Sequence, residues 1–384
     1  MIWTRRLMRT AFIFLVTMTM LADQSNAEIQ TVWFPVFNPE RGSQVDVLVS
    51  AGDRLYASPG RGLVFSDDSG VTWHPTGFKD YVTAIAIQGN TIYVGAHRER
   101  GIFRSDDRGE TWKPINHGLR MFVDSDGRSI YGFVHQILVT RSNTVIAVLN
   151  RGATYKSDDR GERWEDLTLE WDEPPFDPFV RSYHFSYSDS RLLEFDRYLW
   201  AWRTTIGRSS DNGRTWEFAA GRYHPFNGID AWVVHNDQLY LAGGIYRTGP
   251  GVGVPAKTPY FARFDDEFRR PLVQGLPMHP KYDPYVDLLP KHVSDAGYAL
   301  MLTLASHRGR IFAGMWGLGV YAFNDRSETW FPAGLNGLIV FSLVVHQSDL
   351  YAATDKGIYR AAIRTVIPHG KTITTWGAIK QKGR

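Results

Sequence analysis

Cations recur at one spacing along this chain. Five residues after Tyr56, Tyr93, Ile146 and Tyr351, each inside a short apolar run, stand Arg61, Arg98, Arg151 and Lys356. Arg203 and Arg247 occupy comparable loops, and Trp316 stands where one more cation would fall. A guanidinium is a planar fork that grips carboxylate or phosphate through two parallel hydrogen bonds. Gathered on one surface, these residues would hold an anionic partner. The other use of such arginines is pairing with Asp or Glu on exposed turns. Asp46, Asp80 and Asp230 lie just before or at the start of other apolar runs. They would either neutralise the cations or act as general acids and bases. His235, His307 and His346 each end an apolar run and read as turn residues, spread too widely to share one metal ion. Gly249, Gly251 and Gly253 do not follow a strand and open a helix, as a nucleotide-binding loop would. Neither a metal nor a cofactor is expected.

The elements that position these residues announce themselves by repetition. Ser66 to Trp73, Ser105 to Trp112, Ser157 to Trp164 and Ser209 to Trp216 share the skeleton Ser-x-Asp-x-Gly-x-Thr-Trp, with Arg163 in place of Thr in the third copy. A recurring unit of this kind signals a repeat architecture. Each box stands between two short strands, so it reads as a hairpin turn. Asp68, Asp107, Asp159 and Asp211 would accept backbone N–H groups, and Gly70, Gly109, Gly161 and Gly213 supply positive φ. Trp73, Trp112, Trp164 and Trp216 bring apolar area for packing between units. Paired Asp residues would also suit calcium. The fourth copy, however, keeps one Asp between Ser210 and Asn212, and no EF-hand pattern is present. On the turn-buttress reading, replacing Asp106 by alanine is expected to lower thermal stability.

With the boxes as anchors, seven units emerge, each an apolar strand, a turn, a second strand, a loop and the box hairpin. First and second strands fall at 45–49 and 54–57, 82–87 and 91–94, 136–139 and 145–148, 183–185 and 198–201, 231–234 and 238–241, 299–304 and 310–313, and 341–345 and 349–352. The fifth unit keeps only a degenerate turn, Phe264 to Glu267, and the sixth a damaged box ending at Trp330. The seventh lacks a final strand. Val32-Trp33-Phe34-Pro35-Val36 matches the outer strands Trp73-His74-Pro75 and Trp112-Lys113-Pro114, and would complete that unit and close a ring. The expectation is an all-β, seven-bladed β-propeller of four-stranded antiparallel blades, with six blades as the alternative. Loops between second and third strands then share the face opposite the boxes, and six of the seven present a cation there. Three insertions border the blades: the aromatic and acidic stretch 171–179, the Gly/Pro-rich hairpin tip 248–259, and the Pro- and Tyr-rich stretch 279–285.

These boxes resemble the Asp-box (BNR) repeat of the sialidase-like β-propellers, a repeat also found in photosystem II assembly-factor-like and sortilin-type propellers. The resemblance spans about residues 29–363 at the level of repeats. It implies a propeller, and it implies several functions equally, because enzymes, receptors and assembly factors share the repeat. Sialidases use three arginines for the sialate carboxylate, a Tyr–Glu nucleophile pair, an Asp acid/base and an Arg-Ile-Pro motif near the first blade. Here that region reads Phe34-Pro35-Val36-Phe37-Asn38-Pro39-Glu40-Arg41, without Arg-Ile-Pro. Arg61, Arg151 and Arg203 could imitate the triad, but no Tyr and Glu pair by position. The expectation is a binding or assembly module for a protein or an anionic glycan, with an exo-glycosidase of sialidase type as the alternative.

Arg5, Arg6 and Arg9 precede an apolar run from Ala11 to Ala22, and Ser25-Asn26-Ala27 offers a cleavage site. This predicts a signal peptide over 1–27 and a secreted or periplasmic protein of bacterial type, touching membrane only through an uncleaved signal. The propeller is expected over 28–366 and a basic tail over 367–384. There is no cysteine, hence no disulfide framework. A net charge of +3 gives no ground for a nucleic-acid partner. The chain is expected to be a monomer.

Overall fold

Short β-branched and aromatic runs separated by tight turns form the sheets. In the computed structural model the residues described are 28–39, 44–97, 100–149, 153–167, 191–202, 206–220, 229–247, 256–264, 272–276 and 300–366. The chain divides into two units, one of Pro35–Arg360 and one of Met1–Phe34 with Ala361–Arg384. In the smaller unit, the described residues belong to the strands Glu28–Phe37 and Gly357–Val366, which lie side by side in one sheet.

In the larger unit seven inner strands lead seven antiparallel blades: Val45–Ala51, Val82–Gln88, Val134–Val139, Arg191–Phe195, Ile229–His235, Met301–His307 and Val340–His346. The seven blades are therefore those expected, not six. In six blades the inner and second strands join through two-residue turns, as where Gln88 pairs with Thr91 and His307 with Arg310, while blade three has a longer turn between Val139 and Val145. Such turns match strand twist when their residues adopt positive φ, as Asn236 and Asp237 do. In the seventh blade the strand order runs from Val340–His346 outward to Glu28–Phe37, so the N-terminal strand supplies the missing outer position. The fifth blade shows three strands among the described residues, and Leu272 N–H bonds the Phe261 carbonyl (2.7 Å) where others carry a fourth.

Three placements differ from expectation. The inner strand of blade four is Arg191–Phe195, while 183–185 lie outside the described residues. Inner strand six is Met301–His307. Residues 256–259, expected in a hairpin tip, belong to a strand, since Arg247 pairs with Ala256 and Gly244 with Pro259. The tip 248–255, the stretches 171–179 and 279–285, the turn residues 265–267, the segment 1–27 and the tail 367–384 lie outside the described residues.

The core lies between blades, not within them. Val45, Leu48 and Leu55 of blade one pack with Tyr351 and Ile358 of blade seven, and this cluster closes the ring. Tyr56 and Leu63 meet Ile92 and Val94 of blade two, and Tyr93 and Ile102 meet Val145 and Trp164 of blade three. Ile146 and Leu199 join blades three and four, Trp200 and Leu241 four and five, and Phe261 and Phe323 five and six. The Leu343 N–H bonds Thr303 Oγ1 (3.1 Å) between blades six and seven.

Each box is a closed hydrogen-bond circuit. Asp107 Oδ1 accepts from Ser105 Oγ (2.7 Å) and Thr111 N (2.9 Å), and its Oδ2 from Thr111 Oγ1 (2.5 Å). Gly109, at φ +100°, donates to Ser105 Oγ (2.8 Å). Asp68 and Asp211 repeat this geometry with Thr72 and Thr215. The buttress is thus Asp107 and not Asp106. The Asp106 carboxylate instead pairs with the buried Arg104 (3.0 Å) and with Arg160 of the next blade (2.5 Å).

Hydrogen bonds from the threonine hydroxyl and backbone hold Asp68 and Asp107 down to about 2, against an ordinary 3.8. At Asp211 desolvation pushes upward, but Thr215 and Ser209 outweigh it and the carboxyl also falls to about 2. Asp159, beside Arg163, is lowered first by Ser157. A folded pKa below the unfolded one stabilises the fold above the unfolded value, and that stability is lost as pH falls. The thermal midpoint should therefore drop between about pH 4 and pH 2. A variant combining Asp68→Asn, Asp107→Asn and Asp211→Asn should start lower at neutral pH and fall less in that window. Equal acid slopes would remove the boxes as the source of the effect.

Candidate functional site

Third strands run into the boxes, so the loops that precede them emerge at the opposite end of each sheet. On that face the loop of blade one is stitched to the connector leading into blade two. Gly62 N–H bonds the Asp80 carbonyl (2.9 Å), His97 N–H bonds the Tyr81 carbonyl (2.9 Å), and Arg61 bridges Tyr81. This places Arg61, Asp80, Tyr81, His97 and Arg100 around one cleft of about 320 Å³. The Arg61 guanidinium carbon lies 5.6 Å from the centroid of the Tyr81 ring, which is 42 % exposed. Tyr81 and His97 meet edge-on at 5.6 Å, and His97 reaches Phe133 at 6.2 Å.

The two arginines do different work. Arg100 forms an ion pair with Asp80, the structural use that the spacing left open. Among the described residues Arg61 has no carboxylate partner, so the cleft keeps one uncompensated guanidinium beside two aromatic edges. Such a site can seat a carboxylate on the arginine and an adjoining flat or apolar group on the rings.

Of the other cations, Lys356 is exposed on blade seven with its Nζ 3.5 Å from Asp355, away from the cleft lining. Trp316, 50 % exposed, meets Phe341 edge-on at 6.4 Å on blades six and seven. Arg247 ends the strand Gln238–Arg247 and does not stand in a loop, because that hairpin is longer than its neighbours. Arg98, Arg151 and Arg203 lie outside the described residues. The histidines are not turn residues. Each is the buried last residue of an inner strand, and His235 and His346 meet Ser306 (2.8 Å) and Ser50 (3.0 Å) of the following blade. Among the described residues no three His, Asp or Glu side chains gather as a metal site.

Two features of this face escaped the sequence reading. First, six inner strands carry a one-residue bulge at one equivalent position, where Asp46, Thr83, His135, Asp230, Leu302 and Phe341 are the extra residues. A bulge re-aims its side chain: Asp46 is exposed and the other five are half-buried, while the residue just before each is buried in the core. Burial by surrounding protein raises the Asp46 pKa, against a lowering hydrogen bond from Gln44, although the residue as a whole is exposed. Second, a hairpin pairs Met121–Val123 with Ser129–Tyr131 in the connector between blades two and three. Its signal was present: Asp124-Ser125-Asp126-Gly127 is a turn sequence between two apolar triplets.

The BNR/Asp-box repeat matches residues 103–114. No curated protein matches the sequence. Among solved structures, YCF48 from Cyanidioschyzon merolae is similar with a TM-score of 0.53 at 15% identity, over 86% of this chain and 98% of that one. YCF48 bound to D1 peptide is similar with a TM-score of 0.52 at 13% identity, over 90% and 96% of the two chains. Virginiamycin B lyase from Staphylococcus aureus is similar with a TM-score of 0.56 at 11% identity, over 87% and 99%. Identities this low speak for the fold. With seven blades and a closing N-terminal strand, the chain is a seven-bladed β-propeller that carries the BNR/Asp-box repeat.

Proposed function

We propose that this protein is an exported binding or assembly module whose face opposite the Asp boxes takes a protein segment carrying a carboxylate. The observation that carries the reading is the cleft at blades one and two, where Arg61 has no carboxylate partner among the described residues and stands against Tyr81. A charge-assisted hydrogen bond from a guanidinium suits an acidic side chain or a C-terminal carboxylate. A propeller of similar fold holding a peptide supports a protein partner over an anionic glycan. Export rests on the basic and apolar N-terminal pattern ending at Ala27.

The test is a binding screen of the full mature chain against displayed acidic peptides and an array of anionic glycans. Arg61→Ala should weaken peptide binding by about 10- to 100-fold, the loss of one charge-assisted contact of about 1.5–3 kcal/mol. Binding should also fall with added salt. Capture of glycans alone, or peptide binding indifferent to Arg61, would overturn the reading.

A further inference from the structure

We propose that the partner segment binds as an added β-strand along the Met121–Val123 edge of the connector hairpin, with an acidic residue reaching the neighbouring cleft. This rests on the protein-binding reading above and specifies the form the partner takes. The hairpin follows the outer strand of blade two and precedes the inner strand of blade three, so it rises on the face opposite the boxes. Its base is beside the cleft: Tyr131 is two residues before Phe133, whose ring meets His97.

The hydrogen-bond pattern shows which edge is open. Asp124 N–H bonds the Arg128 carbonyl at 3.0 Å, so in an alternating antiparallel ladder the Phe122–Ile130 pair is also hydrogen-bonded. The Met121–Tyr131 and Val123–Ser129 pairs are then the open ones, and the N–H and C=O of Met121 and Val123 point away from the hairpin. No further strand pairs with them among the described residues. Their side chains are 49 % and 72 % exposed and lie on one face by strand alternation. An edge with unpaired donors and exposed apolar side chains is what a partner strand recognises: the main chain gives affinity and alternate side chains give selectivity.

Charge selects the occupant. At the base of the hairpin the exposed Arg120 guanidinium lies 5.4 Å from the Phe122 ring, and like Arg61 it has no carboxylate partner among the described residues. The Asp124 carboxylate is consumed by the turn, accepting from Asp126 N (2.9 Å) and Arg128 N (2.8 Å). The open cations between edge and cleft therefore favour an extended peptide that pairs an apolar β-forming stretch with a nearby acid.

The experiment starts from random linear peptides displayed on phage and selected on the full mature chain. Selected peptides are then measured on Val123→Pro, which removes an outward N–H that the hairpin does not use, and on Val123→Thr, which keeps it. Val123→Pro should weaken binding at least tenfold and Val123→Thr only a few-fold. Independently of any folding defect, peptides N-methylated one residue at a time should lose wild-type binding at alternate positions. Peptides that depend on Arg61 yet ignore Val123→Pro and N-methylation would overturn strand addition and leave the cleft reading standing. Failure to enrich any peptide would overturn both. Self-association abolished by Val123→Pro, with no peptide competing for the edge, would assign it to a second copy and overturn the proposal.

Discussion

Trp164→Ala should destabilise the protein by about 3–5 kcal/mol, the range for deleting a large buried aromatic side chain. Trp164 is fully enclosed between blades two and three, among Tyr93, Ile102, Ile115 and Tyr155. Its indole N–H bonds the Ile115 carbonyl (2.5 Å), and its backbone N–H bonds the His117 carbonyl (2.9 Å). Truncation would therefore open a cavity and leave a carbonyl of the neighbouring blade without a donor. The other box tryptophans are wired differently: Trp73, Trp112 and Trp216 donate to Gly70, Gly109 and Gly213 of their own turns. Trp73 is also only partly buried. Guanidinium-chloride unfolding should thus place Trp164→Ala well below Trp73→Ala, with Trp164→Phe between them. Equal midpoints for the two alanine variants would refute a blade-bridging role for Trp164.

Gly118→Ala should cost about 2–4 kcal/mol, combining backbone strain with overpacking. Gly118 sits at φ +98°, and a Cβ there would run into the Trp164 carbonyl oxygen. The neighbour is backbone and cannot step aside like a flexible side chain. Gly275 makes the same approach to Trp330 between blades five and six, where Trp330 N–H bonds the Gln274 carbonyl (2.8 Å). Gly127→Ala offers a control, being another positive-φ glycine but with nothing near its Cβ position. The difference between the two variants in a thermal melt isolates the steric part. Indistinguishable melts would show that the connector yields.

The blades were legible because each box is a local device. Its Ser, Asp, Gly and Thr satisfy one another within eight residues, so a single sequence displays the whole interaction. Long-range features were not. His235 reads as a turn residue because the serine it meets is 71 positions away. The bulges are invisible because Val45-Asp46-Val47 looks like ordinary alternation, and only pairing with Pro59 and Ser58 reveals the extra residue. Arg191–Phe195 was missed because Leu192 and Leu193 break the period-two pattern, both facing neighbouring apolar clusters. At the site, Arg61 and Asp80 were identified. In the loop of blade two, counting from Tyr93 marks Arg98, which lies outside the described residues, while Arg100, next to the third strand, faces Asp80.

The row of bulges has a consequence for how this surface can change. Asp46, Thr83, His135, Asp230, Leu302 and Phe341 occupy positions that the ladder passes over, so their identity is uncoupled from strand register. None of them belongs to the inter-blade apolar clusters, and substitution at an exposed one such as Asp46 should alter stability little. The molecule thus keeps its core packing and these bulge side chains in separate sets of residues. Those positions can be rewritten, one blade at a time, without renegotiating strand register.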